Sequence, residues 1–358
     1  MSPSPTHDEI VAALKSIKDP ETGRSISQTK QIYQAEPRNS AIYAQIGLTS
    51  FCAPLKQDFQ QAIEEKLRQA FPAHEPIVEL AHHDRPPLPL GTVGLKAKGV
   101  IAVGSGKGGV GKSTVATSLA LALKQAGCRV GLLDADVYGP SIPHLTGVRG
   151  QVMKVDEKIG PLDFNGMPLM SIGFMVPPDQ AVIWRGPMLH SAVTTFVRDV
   201  AWGELDFLII DMPPGTGDVS LSLSQLLPVT GAVVVCTPQE VALIDAIKAV
   251  SMFEKVKIPI VGMVENMSGF LCPDCDHRYD IFGKGGAREY AEQANLPFLG
   301  EIPIHIPLRE RGDRGAMGDN GNDPQIQPWL EKIAYQLSKV LAQKAAQSPV
   351  QAQLPVLG

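Results

Sequence analysis

From residue 99 onward, short apolar runs alternate with stretches of helical periodicity. Gly99-Val100-Ile101-Ala102-Val103, Arg129-Val130-Gly131-Leu132-Leu133, 205–211, 232–236 and 259–264 are short and rich in β-branched or leucine residues. Each reads as a buried strand. Helical stretches lie at 115–123 and about 240–256, and a last short strand lies near 297–303. Strands alternating with helices predict an α/β fold with a mostly parallel, doubly wound sheet. The chain closes on an expected helix over 329–341, with Trp329, Ile333 and Leu337 in register.

The first eighty residues follow another pattern. Ile10, Leu14 and Ile17 recur at helical spacing over 8–18, and Phe59, Ile63, Leu67 and Phe71 do so over 55–71. Strand-like pieces near 31–33 and 41–48 lie between them, so a small α+β module is expected. Pro86, Pro87 and Pro89 mark a semi-rigid linker, in which His82 and His83 read as solvated rather than as a metal site. The expected organisation is an α+β domain at 1–81, a linker at 82–97, the large domain at 98–345 and a disordered tail at 346–358.

The 358 residues carry a formal charge of −5, which argues against a general nucleic-acid binder. No apolar run reaches transmembrane length and residues 1–9 lack the marks of a signal peptide, so a cytoplasmic protein without membrane attachment is expected. Five cysteines in such a chain suggest metal or redox chemistry rather than a disulfide framework.

Between the first strand and helix of the large domain lies Gly-Ser-Gly-Lys-Gly-Gly-Val-Gly-Lys-Ser-Thr, residues 104–114. Gly106, Gly111, Lys112 and Ser113 fit the phosphate-loop pattern, whose glycines let backbone N–H groups approach a polyphosphate at a helix N-terminus. Lys112 is expected on the terminal phosphates and Ser113 on Mg²⁺, while Gly108, Gly109, Val110 and Thr114 complete the loop. Two later strands end in acids: Asp134 and Asp136 after the second, Asp211 after 205–210. Carboxylates at that edge can hold Mg²⁺ or orient a water; the alternative for Asp134 and Asp136 is capping of the next turn.

Cys272-Pro273-Asp274-Cys275 follows the strand ending at Glu265-Asn266-Met267. Such a pair can be a redox couple, half a zinc site with His277 in support, or half an iron–sulfur site. Four thiolates are needed for a full site and no second pair lies nearby. Cys128, Cys236 and Cys52 fall elsewhere, which favours two chains giving two cysteines each.

The loop from 106 to 114 resembles the deviant Walker A loop of the MinD/Mrp class of ATPases, and residues 98–342 resemble its Mrp/ApbC branch. That resemblance implies a homodimeric, ATP-dependent carrier bridging a [4Fe–4S] cluster through Cys272 and Cys275, with cluster donor scaffolds and apo-protein acceptors as partners. It implies that Lys107 reaches the partner's nucleotide and that Asp136 orients the attacking water. Asp134 would support magnesium-bound water, Asp211 would order the Mg²⁺ shell, Gly215 would offer its N–H to a γ-phosphate and Asn266 would read adenine. Asp-Pro-Glu at 19–21 and the stretch 48–55 resemble the MIP18-type assembly domain, placing Cys52 where that family carries a functional cysteine; a structural thiol is the other reading. Rival functions are a MinD/ParA-like spatial regulator without a cluster and a zinc-binding scaffold ATPase. Arg185-Gly186-Pro187 has no physical account.

Overall fold

A computed structural model describes residues 4–90, 94–137, 139–155, 157–175, 186–272, 274–275 and 277–348. The chain forms two compact units, residues 1–85 with 338–358 and residues 86–337.

In the first unit, helices α1 (His7–Leu14) and α2 (Lys56–Ala70) cover a sheet of β1 (Ile32–Arg38), β2 (Ala41–Leu48) and β3 (Glu75–His82). β1 and β2 are antiparallel, β2 and β3 parallel. Ile10, Leu14, Ile42, Ile46, Phe59, Ile63 and Leu67 form the core, in the helical and alternating registers the sequence displays. Helix α1 starts on a capping box, in which Thr6 and Glu9 each satisfy the other's backbone N–H. It stops at Leu14, short of Ile17, because Ser25 takes the Lys15 carbonyl and the chain turns back on itself between Asp19 and Arg24. Cys52 is buried in a 3₁₀ turn over Ser50–Leu55. His82 ends β3 rather than opening a linker, and His83 meets the Tyr33 hydroxyl at 2.8 Å.

The second unit begins with β4 (Pro89–Leu90), β5 (Leu95–Gly104), α3 (Lys112–Gln125), β6 (Val130–Asp134) and α4 (Ile142–Thr146). The small strands β7 (Lys154–Val155), β8 (Lys158–Ile159), β9 (Leu162–Phe164) and β10 (Met167–Ser171) come next, then α5 (Gly186–Asp199), β11 (Leu205–Asp211) and α6 (Asp218–Leu226). The remainder is β12 (Gly231–Cys236), α7 (Glu240–Lys255), β13 (Ile260–Leu271), β14 (Arg278–Tyr279), α8 (Gly286–Gln293), β15 (Phe298–Ile304), α9 (Ile306–Asp313) and α10 (Gln327–Gln347), whose residues from 338 on fall in the first unit. Helix α10 is longer at both ends than its apolar register alone indicates. Of the tail expected at 346–358, Ala346 and Gln347 belong to α10, while residues from 349, like Arg185, lie outside the described residues.

Strand order is β14-β13-β12-β5-β11-β6-β10-β9, with β15 on β13 and β4 on β5. All pairs among β5, β6, β10, β11, β12, β13 and β15 are parallel. The middles of β5, β6, β11 and β12 are apolar on both faces, as a sheet covered by helices in a doubly wound fold requires, and their polar residues gather near the ends. Successive strands lie on opposite sides of β5, so the chain reverses direction there and a crevice opens beyond the strand ends. Register fixes what lines that edge: Ser171, Asp134, Asp211 and Val103 stand side by side in one row.

Candidate nucleotide and cysteine sites

The loop after β5 turns into α3 at Lys112, with Gly111 as N-cap at φ +77°, a left-handed conformation that glycine adopts without strain. A Cβ there would stand 2.2 Å from Asn266 Nδ2, and one at Gly106 would stand 1.8 Å from the Asp245 carbonyl oxygen. These two close approaches require glycine at both positions. The loop is held from outside: Ser105 Oγ donates to Lys107 O at 2.9 Å, Gly215 N–H donates to Ser105 O at 2.9 Å, and Asn266 Nδ2 donates to Val110 O at 2.9 Å. Gly215 and Asn266 therefore both touch the loop, Gly215 with the N–H that the resemblance assigns to a γ-phosphate and Asn266 with the side chain it assigns to adenine. Gly108 and Gly109 are exposed and Lys107 half-buried, while Ser113 and Thr114 are half-buried on the first turn of α3.

Beneath the loop Lys112 is buried, with Nζ 2.5 Å from Asp211 Oδ1, 3.7 Å from Asp136 Oδ2 and 3.4 Å from Ser113 Oγ. Asp134 Oδ1 accepts the Asp136 N–H at 3.1 Å, and Oδ2 accepts from Ser171 Oγ at 3.0 Å and Ile142 N–H at 3.3 Å. Burial, reinforced by the charge of Asp211, pushes the Asp134 carboxyl up to about 8. Burial also raises Asp211, against the pull of Lys112. Two buried acids side by side cannot both ionise cheaply, and one lysine neutralises only one. Asp211 Oδ2 is buried with no hydrogen-bond partner among the described residues. A buried acceptor left open beside a serine hydroxyl suits the oxygen-rich shell of Mg²⁺. The structure thus gathers Lys112, Ser113, Asp134, Asp136 and Asp211, while no ion pair joins Lys107 to these acids. Ser171 escaped sequence reading; only strand register reveals it.

The cysteine pair occupies a different position from the one expected. Instead of following a strand that ends near Asn266, it forms the tip of a hairpin: β13 continues to Leu271 and pairs with β14 through Phe270–Tyr279 and Leu271–Arg278. Continuation is made across an irregularity, with positive φ at Met267 (+57°) and Gly269 (+76°) and a register shift between Asn266 and Phe270. Cys272 is half-exposed and Cys275 exposed, and the Cys272 N–H donates to His277 O at 3.0 Å. The Asp274 backbone N–H, followed by the Cys275 side chain, lowers the Cys272 thiol below its ordinary range. Cys236 is instead pushed up to about 12 by burial, and Cys128 is raised by the same cause. Only exposed thiols of low pKa make ready ligands. No group of three or more His, Cys, Asp or Glu is arranged for a metal among the described residues.

A family model described as NUBPL iron-transfer P-loop NTPase matches residues 96–338, and one described as iron-sulfur cluster assembly protein matches residues 7–77. The chain belongs to the NUBPL iron-transfer P-loop NTPase family. An iron-sulfur cluster carrier protein of Deinococcus radiodurans is 44% identical over 361 residues, covering 98% of this chain and 100% of the relative. One from Synechocystis is 41% identical, covering 87% and 90%. The mouse iron-sulfur cluster transfer protein NUBPL is 51% identical, covering 60% of this chain and 69% of its own. Among solved structures, a nucleotide-binding protein of Archaeoglobus fulgidus in complex with ADP has a TM-score of 0.57 at 43% identity, covering 64% of this chain and 90% of that one. The P-loop NTPase fold and the amino-terminal assembly module are therefore family features. No helix among the described residues is long and apolar enough to cross a membrane.

Proposed function

We propose that this chain is an ATP-dependent iron–sulfur cluster carrier that works as a homodimer in the cytoplasm. The observation that carries the reading is the exposed Cys272–Cys275 hairpin, built on the same sheet as a complete phosphate loop and its acids. One chain offers two accessible thiolates, so two copies together would supply the four that a bridging [4Fe–4S] cargo needs. Relatives named as cluster carriers, similar over nearly the whole chain, support the cargo. Cluster donor scaffolds and apo-proteins are the partners of that role. Residues 98–345 act as the ATPase, and residues 1–81 as a module joined through the 82–97 segment.

At the nucleotide site, Lys112 exchanges Asp211 for the terminal phosphates, and Asp136 orients the attacking water. Lys107, on the outer part of the loop, reaches the nucleotide of the second copy, and Asn266 has a second amide hydrogen to offer an adenine. Ser113 and Asp211 would hold Mg²⁺, with Asp134 behind them; the metal would neutralise phosphate charge.

The test is anaerobic reconstitution with iron and sulfide, wild type beside Cys272→Ala/Cys275→Ala. No described residue between Phe270 and Gly286 is buried, so the variant is expected to stay folded. About four iron and four sulfide per dimer in the wild type, and none in the variant, are expected. Stoichiometric zinc without sulfide would replace the carrier reading by a zinc scaffold, and absence of both metals would leave an NTPase without cargo.

A further inference from the structure

Strand β13 carries Asn266 at the phosphate loop and ends one residue before Cys272. Six residues separate the two along the strand, a reach of at most about 20 Å. What lies between them is a polar cluster with Glu265 and Ser268 buried and Arg278 and Glu301 partly exposed.

Glu265, fully buried, takes the Gly285 N–H at 3.1 Å and the Ala287 N–H at 2.9 Å, tying β13 to the start of α8. Ser268 Oγ stands 2.6 Å from Glu265 Oε1 and 2.7 Å from Glu301 Oε2. Arg278 donates Nη1 to Glu301 Oε1 at 2.9 Å and Nη2 to Glu301 Oε2 at 3.1 Å, to Ser268 O at 3.0 Å and to Ser268 Oγ at 3.2 Å. Arg278 is also the strand partner of Leu271, next to Cys272.

Ser268 has one hydroxyl hydrogen and two carboxylates within reach. While both are ionised it donates either to Glu265, which is bonded to the start of α8, or to its strand partner Glu301, which is bonded to Arg278, but not to both at once. The irregularity at Met267 to Gly269 gives the strand freedom to follow, because a regular ladder would fix both ends rigidly. A coupling between distant sites needs such an element with two arrangements that both sites can bias.

We infer that Asn266, Ser268 and Arg278 are positioning residues that transmit occupation of the phosphate loop to the Cys272 hairpin along β13. Asn266 holds Val110 O, so a ligand that reorders the loop acts directly on the strand. Ser268 changes carboxylate, and Arg278 shifts β14 against Leu271. The inference rests on the proposed nucleotide and cysteine sites, and its test separates their failure from its own.

Cluster-free protein is alkylated with iodoacetamide with and without MgATP or MgADP, and the Cys272 peptide is followed by mass spectrometry while calorimetry measures nucleotide binding. Cys52, Cys128 and Cys236 are buried and give the slow background. In wild type, nucleotide is expected to change the Cys272 rate about fivefold or more. Ser268→Ala and Arg278→Gln are expected to bind nucleotide yet give one rate with or without it, and Ser268→Thr to restore the response. If Ser268→Ala does not fold, as judged by circular dichroism, Arg278→Gln decides. Bound nucleotide with an unchanged wild-type rate overturns the inference, as do both variants responding like wild type. Absence of nucleotide binding overturns the nucleotide site itself, and the inference with it.

Discussion

Asp134 shows how burial beside a second acid makes a carboxyl sensitive to pH. Its proton is held to about 8 in the fold, while an unfolded aspartate releases it near pH 3.9. Between those values the folded state binds more protons, so stability falls as pH rises and the slope vanishes above about pH 8. Asp134→Asn keeps an acceptor for the Asp136 N–H and cannot ionise; its amide nitrogen replaces the oxygen that accepts from Ser171 Oγ and the Ile142 N–H, a loss that does not vary with pH. Thermal unfolding of nucleotide-free protein is expected to show a flatter profile in the variant, with its gain over wild type larger at about pH 8 than at about pH 5. Equal slopes would mean Asp134 is ionised throughout. The individual acids and Lys112 were legible because each closes an apolar run or sits in a spaced motif. Ser171 was not, since nothing in residues 167–171 marks a hydroxyl as the partner of an acid some forty residues earlier.

Among the elements, β13 departs most from its sequence pattern. Its first half, Ile260 to Val264, is an uninterrupted apolar run and reads as a buried strand. Its second half does not, because Met267 and Gly269 leave the extended conformation and the strand resumes with Phe270 between two different neighbours, β14 and β15. The polar groups around this irregularity come from β13, β14 and β15, so no local window contains them. The β13–β15 contact also depends on one missing side chain: a Cβ at Gly262 would lie 2.3 Å from Leu299 Cγ, and Leu299 is fully buried. Gly262→Ala is therefore expected to cost about 1–3 kcal/mol by overpacking, read as a lower urea midpoint at unchanged slope. A neutral variant would show that β15 shifts freely on β13.

For the whole molecule, order along the chain was the most legible property. The assembly module matched over 7–77 precedes the P-loop NTPase match over 96–338, the order in which the two patterns follow one another in the sequence. Assembly is a matter of chemistry rather than order. Lys107 lies apart from the acids of its own chain, so its proposed place is beside a second copy's nucleotide. Lys107→Ala is expected to bind ATP but to lose about 10³ in kcat, and wild-type activity per protomer to rise with protein concentration. Wild-type turnover by the variant would remove the second copy from hydrolysis.

The cysteine hairpin contributes nothing described to the core: from Phe270 to Gly286 every described residue is at least partly exposed. Substitutions in that arm away from Arg278 and Gly285, which bond the Glu265–Ser268–Glu301 cluster, therefore bear little on whether the chain folds. Evolution can lengthen it, change its charge or exchange residues around the thiols while the folding free energy stays nearly constant. The grip on a cargo can diverge between lineages faster than the sheet that presents it.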